Sequence, residues 1–152
     1  MANQASADYA HGKAVEEAIV LAALIGNVWP SADENFVKKV MVQIIDRITS
    51  FAIHARRTAE IINGPKIQIK ETRWIRSDGP VLETDFWTVV NKILHSRNIE
   101  VVTFEHGATM FTNLGDRIIT HIEVQSDRGS SICFCGYGLV YAYLSQIAPT
   151  TP

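Results

Sequence analysis

Apolar residues recur at spacings of three and four through the second quarter of the chain, forming the longest regular pattern in the sequence. This repeat predicts an amphipathic helix of about eight turns, ended by the stop signal Asn63-Gly64-Pro65. Its members are Val37, Met41, Ile44, Ile48, Phe51, Ala55 and Ile62. Because so long an apolar stripe has to be covered, the fold must place another element against it.

A second amphipathic pattern lies directly before this helix and predicts another helix over residues 13–28, ended by Pro30. Ser31 and Glu34 have the spacing of a capping box, which starts the next helix at once. Because so short a connection joins them, we expect the two helices to pack as an antiparallel hairpin. Residues 1–11 show no periodicity and are expected to form a flexible arm.

The second half of the chain shows strand patterns around a third helix. This helix is predicted from Thr84, with an inward stripe of Phe86, Val89, Val90, Ile93 and Leu94. Strands are predicted over residues 66–76, 99–105, 117–125 and 131–135. Residues 137–147 fit a closing helix and a strand continuation nearly equally. We therefore predict a single α+β domain over residues 1–152, with an antiparallel pair of long helices and a third helix packed on a small antiparallel β-sheet.

Composition and charge narrow the class of protein. The 152 residues are 47% hydrophobic and 20% charged, which is typical of a soluble globular protein. The net charge of −2 provides no global positive field, so nucleic-acid binding would need a local basic patch. The longest apolar run, residues 18–25, falls far short of the roughly 20 residues that span a bilayer. We expect no membrane span, no secretory signal and a cytoplasmic location.

The two cysteines, Cys133 and Cys135, are only two residues apart, and a disulfide between them is improbable. A lone Cys-x-Cys pair also lacks the four ligands of a structural zinc site. We interpret both residues as buried thiols and expect neither a metal nor a cofactor. No phosphate-loop, dinucleotide-binding or nucleophile-elbow motif is present in the sequence.

A first candidate site lies on the third helix, where Trp87, Asn91 and His95 follow one another at four-residue spacing and share a face. Asn91 and His95 could position a phosphate or a carbonyl group, with His95 as the general base. Arg97 follows where a cation would suit the end of the helix dipole. The simpler interpretation is a half-buried His95 bonded to a backbone carbonyl, with Asn91 in solvent.

A second candidate site is a polar stripe on the second helix, formed by Arg47, Ser50, His54 and Arg57. Arg47 and Arg57 could hold a phosphate between them, because guanidinium groups bind such anions in a bidentate way. The simpler interpretation is the solvated face of an amphipathic helix, with Asp46 and Glu60 as countercharges.

The two linked long helices, together with a third bearing Asn91-Lys92-Ile93-Leu94-His95-Ser96, resemble the HEPN domains (higher eukaryote and prokaryote nucleotide-binding) over residues 13–98. Active members of that family carry an Arg followed after four to six residues by a His, and they cleave RNA without a metal. Arg47 and His54, with six residues between them, match this spacing. The chain departs from the family at Ile48, where a polar residue is usual, and in its sheet-like last third. The Asn-Lys-x-x-His helix is also similar to small uncharacterised bacterial proteins, a resemblance that implies no function.

Three functions follow from these patterns. The first is a small soluble bacterial protein that acts as a self-associating interaction module, a homodimer without catalysis. The second is a HEPN-like metal-independent ribonuclease or RNA-binding protein, for which the resemblance implies His54 as general base and Arg47 as the group that stabilises the phosphate. The third is a small-molecule-binding protein with a pocket near Trp87, Asn91 and His95. The partner would be a second copy of the chain, with RNA or another protein as the alternatives.

Overall fold

The computed structural model describes residues 4–62, 66–71, 79–107, 109–127 and 129–148. In chain order, the elements are α1 (Gln4–Gly26), β1 (Trp29–Pro30), α2 (Glu34–Ile62), β2 (Val81–Leu82), α3 (Phe86–Leu94), β3 (Ser96–Glu105), β4 (Asp116–Ser126), β5 (Ile132–Phe134) and α4 (Gly136–Ala142), which continues as a π-helical turn over Tyr143–Ile147. This arrangement confirms the predicted α+β class. None of the helices in these ranges combines the length and the apolar character needed to cross a bilayer.

The long helices α1 and α2 pack against each other as the predicted antiparallel hairpin. Tyr9 contacts His54 and Glu17 contacts Arg47, so residue numbers rise along one helix as they fall along the other.

The apolar stripe predicted on α2 faces the core. Ile44, Ile48 and Phe51 are each 0% exposed, and burial of one such side chain contributes about 1.5–3 kcal/mol. The same core includes Val101 and Ile122 of the sheet, so α2 is covered by α1 and by the β-strands together.

Helix α1 begins at Gln4, so residues 4–11, expected to be a flexible arm, are helical. Ala7, Ala10 and Ala14 are buried along this part of the helix. Alanine has the highest helix propensity, and its small side chain lets a neighbouring helix approach closely. A stripe made of alanines carries little hydrophobicity, and for this reason the periodicity was not visible in the sequence.

The first turn of α2 is capped by Asp33 and not by Ser31. The Asp33 carboxylate accepts the backbone N–H of Phe36 at 3.1 Å, and its carbonyl accepts that of Val37. The Ser31 hydroxyl instead donates to Glu105 at 3.1 Å. The predicted capping box is therefore wrong, because tertiary hydrogen bonds occupy the serine and the adjacent aspartate takes its place.

The strands form a five-stranded sheet in the order β1-β4-β5-β2, with β3 paired to β4. β3 and β4 form a long antiparallel hairpin, in which Arg97 is an extra residue on β3 and Thr120 an extra residue on β4. β2 runs parallel to β5, so the sheet is mixed and not wholly antiparallel as expected. The strand predicted over residues 66–76 is reduced to a single bridge, Gln68–Asp85, in its described part, and residues 72–78 lie outside the described ranges.

Helix α3 starts at Phe86, two residues later than predicted, and ends early, at Leu94. Asp85 caps it by accepting the backbone N–H of Thr88 at 2.9 Å, and His95 closes it through an N–H bond to the Asn91 carbonyl. Arg97 therefore lies in β3 and not at a helix end, which corrects its predicted position at the helix dipole. Cross-strand pairing with β4 begins at Ser96 and takes over from the helical pattern.

The closing segment is helical, which decides the alternative left open for residues 137–147. The Cys135 side chain caps α4, because its Sγ accepts the backbone N–H of Gly138 at 3.3 Å. Tyr143, 0% exposed, packs edge-on to Phe51 with ring centroids 5.4 Å apart, so the end of the chain's described part is anchored in the core.

Candidate functional sites

The polar stripe on α2 faces α1 at its centre. Arg47 Nη1 lies 3.2 Å from Glu17 Oε1, and the side-chain exposures of the two residues are 39% and 11%. Beside the countercharges expected from Asp46 and Glu60, the structure thus gives Arg47 an ion-pair partner on α1. A phosphate that approached Arg47 would have to compete with this carboxylate.

His54 is half-buried beside the same helix pair. Its Nδ1 is buried and has no hydrogen-bond partner among the described residues, and its ring meets the Tyr9 ring edge at a centroid distance of 6.1 Å. Burial lowers the pKa of His54 below 6.5, and the Arg57 charge lowers this pKa further, while Glu17 opposes the change. His54 is thus a neutral imidazole at physiological pH and retains the ability to accept a proton.

A pocket of about 230 Å³ lies beside α3. It is lined by Thr88, Asn91, Lys92, His95 and Ser126. Two residues of the first predicted site, Asn91 and His95, therefore line a common cavity between the helix and the edge of the sheet.

The third residue of that predicted site, Trp87, is not among the lining residues of this pocket. Its ring stands edge-on to Phe86 at 4.8 Å between centroids, and it packs against the core. The four-residue spacing predicts correctly that Trp87 lies on the same helix as Asn91 and His95. It does not predict the direction of the ring, because a large aromatic side chain turns toward the apolar surface that it can cover.

The pocket residues are held by hydrogen bonds at several points. The His95 carbonyl accepts the backbone N–H of Asp127 at 3.2 Å, which fixes the main chain between α3 and β3. Lys92 Nζ donates to the Ser130 carbonyl at 3.5 Å. A side chain at Gly129 would approach this ammonium within 2.8 Å, so the glycine gives Lys92 its space.

The two predicted sites have separate surroundings. The groups that act on His54 belong to α1 and α2, whereas the pocket around His95 is made by α3 and β4. Arg97, also predicted to bind a ligand, pairs with Asp127 at 3.4 Å, and both side chains are 66% exposed.

A further surface feature, missed from the sequence, lies along β3. Among the described residues, β3 pairs with β4 alone, so its other edge is open. A groove of about 460 Å³ follows this edge, lined by Met41 and Ile45 of α2 and by residues 99–103. Val42, 54% exposed, lies three residues before Ile45, so the two side chains are neighbours on the surface of α2. Val42 and Ile45 lie outside the main stripe of α2, and this second apolar line was the available signal.

A second missed feature is the β3–β4 loop, where Met110 and Phe111 are 71% and 74% exposed. The loop is fixed by Asp116, which is 3% exposed. Its carboxylate accepts the backbone N–H groups of Met110, Phe111 and Thr112 at 3.0–3.1 Å. The two apolar side chains are therefore presented to solvent by a segment whose backbone is hydrogen-bonded to Asp116.

Within the described ranges, no group of three His, Cys, Asp or Glu side chains is arranged to hold a metal ion. Cys133 and Cys135 are both buried thiols, as expected. Comparisons with models of known protein families, with curated proteins and with solved structures gave no match.

Proposed function

We propose that this chain is a self-associating interaction module, and that two copies form a homodimer by pairing the open edges of β3. The observation that carries the proposal is the strand β3, which pairs with β4 alone among the described strands and whose residues 99–103 are flanked by an apolar groove. Unpaired backbone N–H and C=O groups on such an edge are a template for a further strand.

The charges of β3 favour a second copy as that strand. In an antiparallel alignment centred on Val101, Arg97 of each copy faces Glu105 of the other, so opposite charges meet at both ends. Glu100 then faces Val102 of the second copy, so no like charges are directly opposed. A two-fold axis through Val101 makes the contact self-complementary, which closes the assembly at two chains.

The groove beside the edge supplies the apolar part of the contact. Met41 and Ile45 are half-buried in the single chain and Val42 is more than half exposed. Burial of these side chains adds about 25 cal/mol for each Å² removed from water. Backbone pairing alone gives little net stability, so this apolar strip is needed for a durable dimer.

A charge-swap cycle tests the proposal. Arg97→Glu and Glu105→Arg each put like charges opposite one another, and each should weaken dimerisation about tenfold in sedimentation equilibrium. The double variant should restore the wild-type dissociation constant. Within one chain, Arg97 pairs with Asp127 and Glu105 with Arg117, so the double variant repairs no internal ion pair. A monomeric wild-type protein at millimolar concentration, or a double variant as weak as the single ones, would refute the dimer.

The ribonuclease is the second candidate, and the state of His54 is the observation that favours it. Its lowered pKa and unpartnered Nδ1 suit a general base. RNA cleavage should then survive a chelator and disappear in His54→Ala. Glu17→Gln frees Arg47 for a phosphate and should raise the rate. Intact RNA after long incubation with the pure wild-type protein would end this candidate.

A cytoplasmic location is part of the proposal, because Cys133 and Cys135 are buried thiols outside any disulfide and suit a reducing compartment. Cell fractionation with an antibody to the chain tests it. Recovery of the protein in a secreted fraction would contradict it.

A further inference from the structure

We propose that the pocket beside α3 binds a small organic anion, with its carboxylate or phosphate group held by Lys92 and Asn91. This inference does not depend on the β3 dimer, because the pocket is lined by α3 and β4 and the proposed interface by α2 and β3.

The described part of the lining is rich in hydrogen-bond donors and contains no acid. Asn91 offers an amide NH₂, Lys92 an ammonium group and Ser126 a hydroxyl, while His95 offers an imidazole. None of the five described lining side chains is a carboxylate. Hydrogen-bond donors with no negative charge beside them suit an anionic oxygen, because charge-assisted hydrogen bonds are roughly twice as strong as neutral ones. A cationic ligand would find no countercharge among these five residues.

The pocket is partly organised before any ligand arrives. Lys92 is directed by the Ser130 carbonyl, and an ammonium group carries three N–H donors, so a ligand oxygen can join that carbonyl around it. The His95 backbone is bonded on both sides, through its N–H to Asn91 and through its carbonyl to Asp127. Groups held in place in this way lose less entropy when they bind.

The volume limits the size of the ligand. The pocket has a volume of about 230 Å³. It is smaller than the binding sites of drug-sized molecules, which have volumes of roughly 300–1,000 Å³. It suits an acid group attached to one small ring or a short chain. The aliphatic stem of Lys92 and the methyl group of Thr88 are the apolar surfaces on which such a ring would lie.

Benzoate and benzyl alcohol form a matched pair of probes, since they share the ring and differ in charge. Inorganic phosphate tests the alternative acid group. Binding is followed in ¹H–¹⁵N NMR spectra of the full chain at constant ionic strength. Lys92→Met removes the ammonium group and keeps the stem. Lys39→Met, at an exposed lysine of α2, is the control for a general loss of positive charge.

Benzoate or phosphate should bind saturably at millimolar concentration and shift the amide signals of Asn91, Lys92 and His95, whereas benzyl alcohol should bind about tenfold more weakly. If only phosphate binds saturably, the natural ligand carries a phosphate group. If only benzoate binds saturably, the natural ligand carries a carboxylate. Lys92→Met should weaken binding about tenfold and Lys39→Met should not. No saturable shift with either anion, equal binding of the alcohol, or equal losses in the two lysine variants would overturn the proposal.

Discussion

Arg47 on α2 and Glu17 on α1 form an ion pair of 3.2 Å across the helical hairpin, and the glutamate side chain is only 11% exposed. A carboxylate that is so little exposed to water needs a positive charge beside it to offset its lost solvation, and the Arg47 guanidinium provides this charge. The pair therefore gives Arg47 a structural role in addition to any role in binding. It also places a negative charge near His54, where this charge raises the pKa that burial lowers.

Glu17→Gln should lower the free energy of unfolding by about 1 kcal/mol, because Arg47 is partly exposed and water weakens the pair. The same variant should lower the pKa of His54 further, since it removes the charge that raises this pKa. Urea unfolding and an NMR titration of His54 measure the two effects. Glu16→Gln is the control, because Glu16 is 60% exposed and faces Lys13 on its own helix. If the two glutamine variants change the unfolding free energy and the pKa of His54 equally, the cross-helix ion pair contributes to neither.

The sequence was sufficient for the helical hairpin and for the buried stripe of α2, because periodicity is a local property of the chain. The direction in which Arg47 faces was not predictable. It depends on the angular position at which α1 meets α2, and the alanines that determine this position leave a weak sequence signal. For the same reason the sequence predicts a flexible arm over residues 1–11, although residues 4–11 are helical.

The candidate sites depend even more on contacts between distant residues. Asn91 and His95 were placed on one helix face from their spacing alone, but Ser126 completes the pocket from β4. Arg97 was misplaced because pairing with β4 begins directly after His95 and overrides the helix pattern. The open edge of β3 follows from strand order, which the hydrophobic pattern of one strand does not contain.

Stability should depend on pH through His54. Its pKa in the folded protein lies below the 6.5 of a free imidazole, so the folded state binds a proton less readily than the unfolded state. The stability that the neutral form contributes is therefore complete above about pH 6.5 and decreases as the pH falls toward the folded pKa. His11, whose pKa is also lowered by burial, acts in the same direction.

His54→Gln should reduce the slope of the unfolding free energy against pH below about pH 6.5, because one of these groups no longer titrates. Urea unfolding at a series of pH values measures this slope. The slope is the useful readout, since a change in packing at residue 54 shifts the whole curve by a constant. A variant with the wild-type slope would contradict the role given to His54.

Asp116 should matter more for the β3–β4 loop than any other acid near it. Asp116→Ala leaves three backbone N–H groups without their carboxylate, and we expect a loss of about 2 kcal/mol in unfolding free energy. Hydrogen exchange at Met110, Phe111 and Thr112 should accelerate in the variant. Asp127→Ala, at a carboxylate that is 66% exposed, is the control and should cost less than about 0.5 kcal/mol. Unchanged exchange at the three amides would show that the carboxylate does not order the loop.

Val42→Lys should weaken self-association without lowering the stability of the single chain. Val42 is 54% exposed beside the groove of β3, so the lysine meets water in the monomer and is buried only when a second copy covers it. Sedimentation equilibrium should show a dissociation constant at least about tenfold higher, and urea unfolding at low concentration should be unchanged. The matched control is Ile19→Lys on α1, which also replaces an exposed β-branched residue, 57% exposed, but lies on the other long helix. If Ile19→Lys disrupts the dimer and Val42→Lys does not, the contact between copies lies on α1, and the edge of β3 is not the interface.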